Sequence, residues 1–110
     1  MPTHCFIDEK GQVFKEESLL KAAEGLPIID YKIDTEKLLE ELINWQLKNF
    51  RDYLVHYKRV NEADLSQPLI LRSDGYIMDG WHRIIKALHQ GLKSLPAKRF
   101  IIDPAPDSII

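Results

Sequence analysis

The residues of this chain best suited to chemistry are Asp79-Gly80-Trp81-His82-Arg83. They stand where the apolar period changes. Tyr76-Ile77-Met78 reads as a strand, and from Trp81 onward Ile84, Ile85, Leu88 and Leu92 continue one helical stripe, with His82, Lys86 and His89 off it. The first amides of a helix have no partner inside it and carry the positive end of its dipole, so a helix mouth attracts anions. Gly80, without a Cβ, lets a phosphate approach the backbone. His82 and Arg83 add donors, Arg as a fork matched to paired oxygens. These types in this order point to a phosphate or nucleotide cradle at Gly80, Trp81, His82 and Arg83, with Asp79 and His82 as candidates for catalytic proton work.

Each of these residues also has a structural reading. Asp79 is a general base, a metal ligand or simply the N-cap of the helix. Arg83 contacts phosphate or forms an ion pair with an acid of an upstream helix. His82 carries protons near neutral pH or is an idle exposed histidine. Trp81 opens the apolar stripe and packs in the core, or it stacks on a nucleobase.

The elements that must position the turn lie on both sides of it. Leu69-Ile70-Leu71 and Tyr76-Ile77-Met78 form a hairpin across Asp74-Gly75, read as a two-residue loop. Gly91 stops the helix, and Leu95 to Ile102 is a further strand with Pro96 near its start. Upstream, His4 to Ile7 and Gln12 to Phe14 make a short hairpin, Glu16 to Glu24 a helix with Leu19, Leu20 and Ala23 on one side, and Leu26 to Ile33 a strand. Asp34 or Thr35 caps one long helix running to about Tyr57. Its stripe of Leu39, Leu42, Ile43, Phe50, Tyr53, Leu54 and Tyr57, widened by Leu38 and Trp45, is read as core-facing; the alternative is a contact surface for a second subunit. Lys58 to Ser66 is polar and connective, with room for one helical turn at Glu62 to Leu65. The expectation is an α/β (α+β) fold: a small mixed β-sheet carrying helices in a single domain, with its core in residues 26–102 and a flexible tail at 103–110.

The run DGYIMDGWHRIIKALHQGLKSLPAKRF resembles the core of the ParB/sulfiredoxin superfamily: a strand, a Gly-x-x-Arg turn, a helix ending in Gly and a short strand near a Pro. The resemblance covers about the last third of the chain. It implies that Gly80 to Arg83 bind the phosphates of a nucleotide, ATP or ADP with Mg²⁺, and that phosphoryl transfer or hydrolysis is the activity to expect. Sulfiredoxins carry their catalytic cysteine where Trp81 stands, so sulfinic acid reduction by that route is excluded. ParB proteins are similar in the turn but attach a DNA-reading helical domain that does not follow here. Free serine kinases that use ADP have Asp-Gly-His-His-Arg, the form nearest to residues 79–83. The alternative implied by the ParB branch is a non-catalytic DNA-associated or regulatory protein.

Composition narrows the rest. The 110 residues allow one modest core, and a net charge of −2 argues against wholesale nucleic-acid binding. Basic residues are nevertheless concentrated late: residues 65–101 hold Arg72, Arg83, Lys86, Lys93, Lys98 and Arg99 against only Asp74 and Asp79. That bias either draws phosphates or reflects solvated faces. Cys5 is the single cysteine, so no internal disulfide forms. Without a signal-like start or a membrane-length apolar run, a cytoplasmic location is expected. His4, His56 and His89 are too scattered for a metal centre, and no Walker loop, nucleophile elbow or zinc spacing is present.

Overall fold

The computed structural model describes residues 5–42 and 47–110. His4, Ile43 and Trp45 lie outside the described residues. The fold is α+β, with four helices and two sheets among the described residues.

The mixed sheet contains β3 (Ile29–Lys32), β6 (Ser94–Arg99), β4 (Leu69–Leu71) and β5 (Ile77–Asp79), side by side in that order. β4 runs parallel to β6; the β3–β6 and β4–β5 pairs are antiparallel. β4 is the run Leu69-Ile70-Leu71, apolar at every position and buried at every position. An apolar run without alternation is what a strand covered on both faces requires. Alternate side chains accordingly enter different cores. Leu69 and Leu71 join Ile77, Leu95 and Ala97 under Leu38, Ile84 and Ala87, whereas Ile70 joins Met78, Phe14, Leu19, Ala23 and Phe100. β4 pairs with β6 only from Ala97 on, so Pro96, which has no amide, precedes the doubly paired part of β6.

The second core is closed by an antiparallel sheet of β1 (Cys5–Ile7), β2 (Gln12–Lys15) and β7 (Ser108–Ile109), together with α1 (Glu16–Ala22). Residues 103–110 were expected to form a flexible tail, but β7 pairs with β2. Asp107 accepts the Lys15 amide and the Ser18 hydroxyl, each at 2.7 Å. Asp103 holds the amide and hydroxyl of Ser73, each at 2.8 Å. In α1, Leu19 and Ala23 are buried as expected, but Leu20 faces out.

The hairpin between β4 and β5 is longer than the two-residue loop read from Asp74-Gly75. The Gly75 amide donates to the Arg72 carbonyl and the Arg72 amide to that of Tyr76, and only Gly75 takes a positive φ. This is a type I turn followed by a glycine bulge. Arg72 then bonds Asp74 at 2.7 Å and Glu9 at 3.0 Å, tying the hairpin loop to the turn between β1 and β2.

The single long helix expected from Asp34 to Tyr57 is two helices, α2 (Thr35–Leu42) and α3 (Phe50–Glu62). Asp34 caps α2 through the Lys37 amide, as expected. The second start is set by a reciprocal cap: Asn49 accepts the Asp52 amide at 3.0 Å, and Asp52 accepts the Lys48 amide at 3.1 Å. α3 runs five residues beyond Tyr57, into the stretch read as connective. Leu38 is buried, but Leu39, Phe50, Tyr53, Leu54 and Tyr57 are exposed, and α3 buries none of its residues. The core-facing reading therefore fails at Leu39, Phe50, Tyr53, Leu54 and Tyr57. No helix of the described residues is long and apolar enough to cross a membrane.

Candidate functional site

The turn lies between β5 and α4 (Trp81–His89). Asp79 is the last residue of β5 rather than the N-cap; Gly80 takes the cap position with φ 116°, and no side chain caps α4. The apolar face of α4 sends Ile84 and Ala87 into the first core. Trp81 packs against the same core and does not line the adjacent cleft. Of the five residues singled out in the sequence, the structure brings Asp79, Gly80, His82 and Arg83 to one opening and turns Trp81 aside.

That opening is a cleft of about 250 Å³ between the start of α4 and the end of α3. Arg83 does not simply project into it. Its Nη1 donates to the Pro68 carbonyl at 2.9 Å, and its Nη2 stands 3.4 Å from Asp79 Oδ2. The two side chains are 17% and 19% exposed, so the pair is partly sheltered. The acid facing Arg83 is thus its neighbour four residues back rather than one on the upstream helix. Gly80 has a packing reason of its own: a Cβ there would collide with Leu69 Cδ2 and stand 3.2 Å from Arg83 Nη1.

His82 and Lys86, one turn apart, both tie α4 to α3. His82 Nε2 and His56 Nδ1 are 2.8 Å apart, so only one of these two nitrogens carries the proton between them. Burial lowers the His56 pKa below its ordinary value, the Arg59 cation lowers it further, and Asp52 opposes both. Lys86 Nζ donates to the carbonyls of Asn61 and Ala63 at 3.0 and 2.8 Å, capping the C-terminal end of α3.

α3 and the segment after it supply the far wall of the cleft. The cations lining it are Arg59 and Arg83; the acids are Glu16, Glu62, Asp64 and Asp79. The Ser66 hydroxyl and amide hold the Asp64 carboxyl below its usual range. Sequence reasoning missed this wall, including Gln67, because its members belong to another helix and a connection. Carboxylates outnumber guanidiniums here, so the cleft is not a plain anion hole.

The late basic residues are mostly spoken for. Arg72 bonds two carboxylates, Arg99 bonds the Ser73 carbonyl, Lys98 lies 3.4 Å from the Ala23 carbonyl, and Lys86 and Arg83 are engaged as described. Arg72 and Arg83 thus face carboxylates, whereas Lys86, Lys98 and Arg99 bond neutral carbonyls and keep their charge. No family model, curated protein or solved structure matches the chain.

Proposed function

We propose that the cleft at the start of α4 binds a phosphate-bearing small ligand, a nucleotide first among the candidates, as a ParB/sulfiredoxin-like turn would imply. The observation that carries this reading is the mouth of α4. It opens beside a cleft, no side chain caps it, and Gly80, His82 and Arg83 stand around it. The order of strand, glycine turn, helix ending at Gly91 and strand carrying Pro96 supports the same reading. The acids of the cleft favour a ligand that brings its own cation. Among the described residues no group of three His, Cys, Asp or Glu is set to hold a metal. Mg²⁺ would therefore arrive on the nucleotide's phosphates and meet one or two carboxylates, its usual mode of binding. In phosphoryl transfer or hydrolysis the proton work would fall to the His82–His56 pair, since the Asp79 carboxylate already faces Arg83. The alternative, a non-catalytic DNA-associated protein, has less behind it because two of the late basic residues, Arg72 and Arg83, are paired with carboxylates.

The test is a titration of the isotope-labelled chain with phosphate, ADP and ATP, each with and without Mg²⁺, followed by amide shifts and melting temperature. The expected result is saturable movement of the Trp81, His82 and Arg83 amides. At tenfold ligand excess over Kd the stabilisation should be about 1.4 kcal/mol, or roughly 5–10 °C in a domain of this size. Amides 81–83 unmoved by every ligand at millimolar concentration would overturn the reading.

A further inference from the structure

α3 is attached the wrong way round for an ordinary surface helix. Its contacts with α4 include His56 and the end capped by Lys86, while its aromatic residues and Leu54 point outward. Phe50 is 72% exposed, Tyr53 48%, Leu54 49% and Tyr57 53%. The three rings form a ladder along the helix, with centroids 6.0 and 6.2 Å apart and planes within 21°. An amphipathic helix normally buries this face, and a contiguous apolar patch of several hundred Å² is a usual mark of an interaction surface.

We propose that α3 is a dimerisation helix, whose stripe Phe50, Tyr53, Leu54 and Tyr57 pairs antiparallel, across a twofold axis, with the same stripe of a second copy of this chain. The spacing is self-complementary. A twofold axis between Tyr53 and Leu54 places Phe50 of one copy against Tyr57 of the other and exchanges the two central residues, the pattern that an isologous interface demands. The spacings of three, four and seven are those by which paired helices interlock their side chains. Antiparallel pairing also sets the helix dipoles in opposition.

The area is sufficient. At ~150–250 Å² for a whole aromatic side chain and the exposures above, the three rings and Leu54 leave roughly 400 Å² open per copy. Two copies face to face hide at most roughly 800 Å² through these four residues, and the exposed rim of Leu47, Arg51, Lys58 and Asn61 would supply the remainder of the ~1,000–1,200 Å² where specific interfaces begin. The residues of α3 that line the cleft lie outside this stripe, so the dimer stands or falls independently of ligand binding.

Sedimentation equilibrium of the full chain, from micromolar to sub-millimolar concentration, tests the proposal. The expected result is reversible association to twice the 12.8 kDa chain mass. Leu54→Arg and Tyr53→Glu should each raise the dimer dissociation constant at least tenfold with an unchanged far-ultraviolet spectrum, and Leu20→Arg, on the exposed side of α1, should leave it unaltered. Leu54→Cys in a Cys5→Ser background checks the geometry, because an axis beside position 54 brings the two thiols together and mild oxidation should give a disulfide-linked dimer. A parent that stays monomeric, a dimer indifferent to Leu54→Arg, or a Leu54→Cys dimer that oxidation does not cross-link would each overturn it. A monomer whose stripe is covered by another protein or by a different segment of its own chain counts among the first of these.

Discussion

Replacing Gly80 by Ala adds one methyl group where β5 becomes α4, and that methyl meets two separate costs. The first is conformational: φ at Gly80 is 116°, a region that a residue with a Cβ occupies at a cost of about 1–2 kcal/mol. The second is steric. The new Cβ collides with Leu69 Cδ2, and Leu69 is fully buried, so the crowding costs about 1–3 kcal/mol. Together they predict a loss of ~2–5 kcal/mol, a large share of the ~5–15 kcal/mol expected for a domain. Gly75→Ala isolates the first cost, since φ there is 90° and nothing lies within 4 Å of its Cβ; it should lose only about 1–2 kcal/mol. Leu69→Val removes the colliding methyl. Alone it should cost about 1 kcal/mol, and combined with Gly80→Ala it should return ~1–2 kcal/mol of the sum as coupling. Urea unfolding of the parent and the four variants at constant m-value measures all of this. If Gly80→Ala costs no more than Gly75→Ala, or if the double variant is strictly additive, the methyl meets no wall. The missing side chain would then serve something outside the fold, such as a ligand.

Two further outcomes follow from the contacts. Burial lowers the His56 pKa, so the unfolded chain takes up that proton first. This contribution to stability is complete above the unfolded value of ~6.5 and is lost as pH falls through the folded one. The urea midpoint should therefore decline below pH 6.5, by no more than ~1.4 kcal/mol per pH unit for one site, and His56→Gln should flatten the decline; an equal slope in parent and variant would remove His56 as its cause. Asp107→Ala removes the acceptor of the Lys15 amide and the Ser18 hydroxyl. Hydrogen exchange should then quicken at Asp107, Ser108 and Ile110 while Leu71 and Ile77 keep their protection, and unchanged rates in β7 would show that strand pairing alone holds the tail.

Much of the mixed sheet was legible because its signals are local. Leu69-Ile70-Leu71 announced a strand, the change of period at Trp81 announced the helix, and Gly91, at φ 71°, ended it. The second sheet was half legible. β1 and β2 lie on either side of a turn, but β7 is two residues long and pairs with a strand far away in sequence, and no local pattern encodes that partner. The break between α2 and α3 did leave a trace. Asn49-x-x-Asp52 is a reciprocal cap, yet an apolar stripe at helical spacing continues across a break as readily as along an unbroken helix. Periodicity also shows that a face is apolar without showing what it meets, so Leu38 and Leu39, adjacent in sequence, end on opposite sides of the boundary between core and solvent.

The site divides along the same line. The near wall, Asp79 to Arg83, is contiguous and was readable; the far wall depends on where α3 lies, and its contacts, such as His56 to His82 and Lys86 to the end of α3, join distant residues. Residue type gave Arg83 a capacity to bind oxygen but not the identity of that oxygen. A guanidinium only 17% exposed must have its donors satisfied within the fold, and the Pro68 carbonyl at 2.9 Å does so more closely than Asp79 at 3.4 Å. A phosphate entering the cleft would have to exchange for these acceptors instead of meeting an open fork, and exchange returns far less than a new charge-assisted bond. The helix-end amides face no such competition from a side-chain cap. Any hold that this turn has on an anion therefore rests more on the main chain at the start of α4 than on the arginine that first drew attention to it.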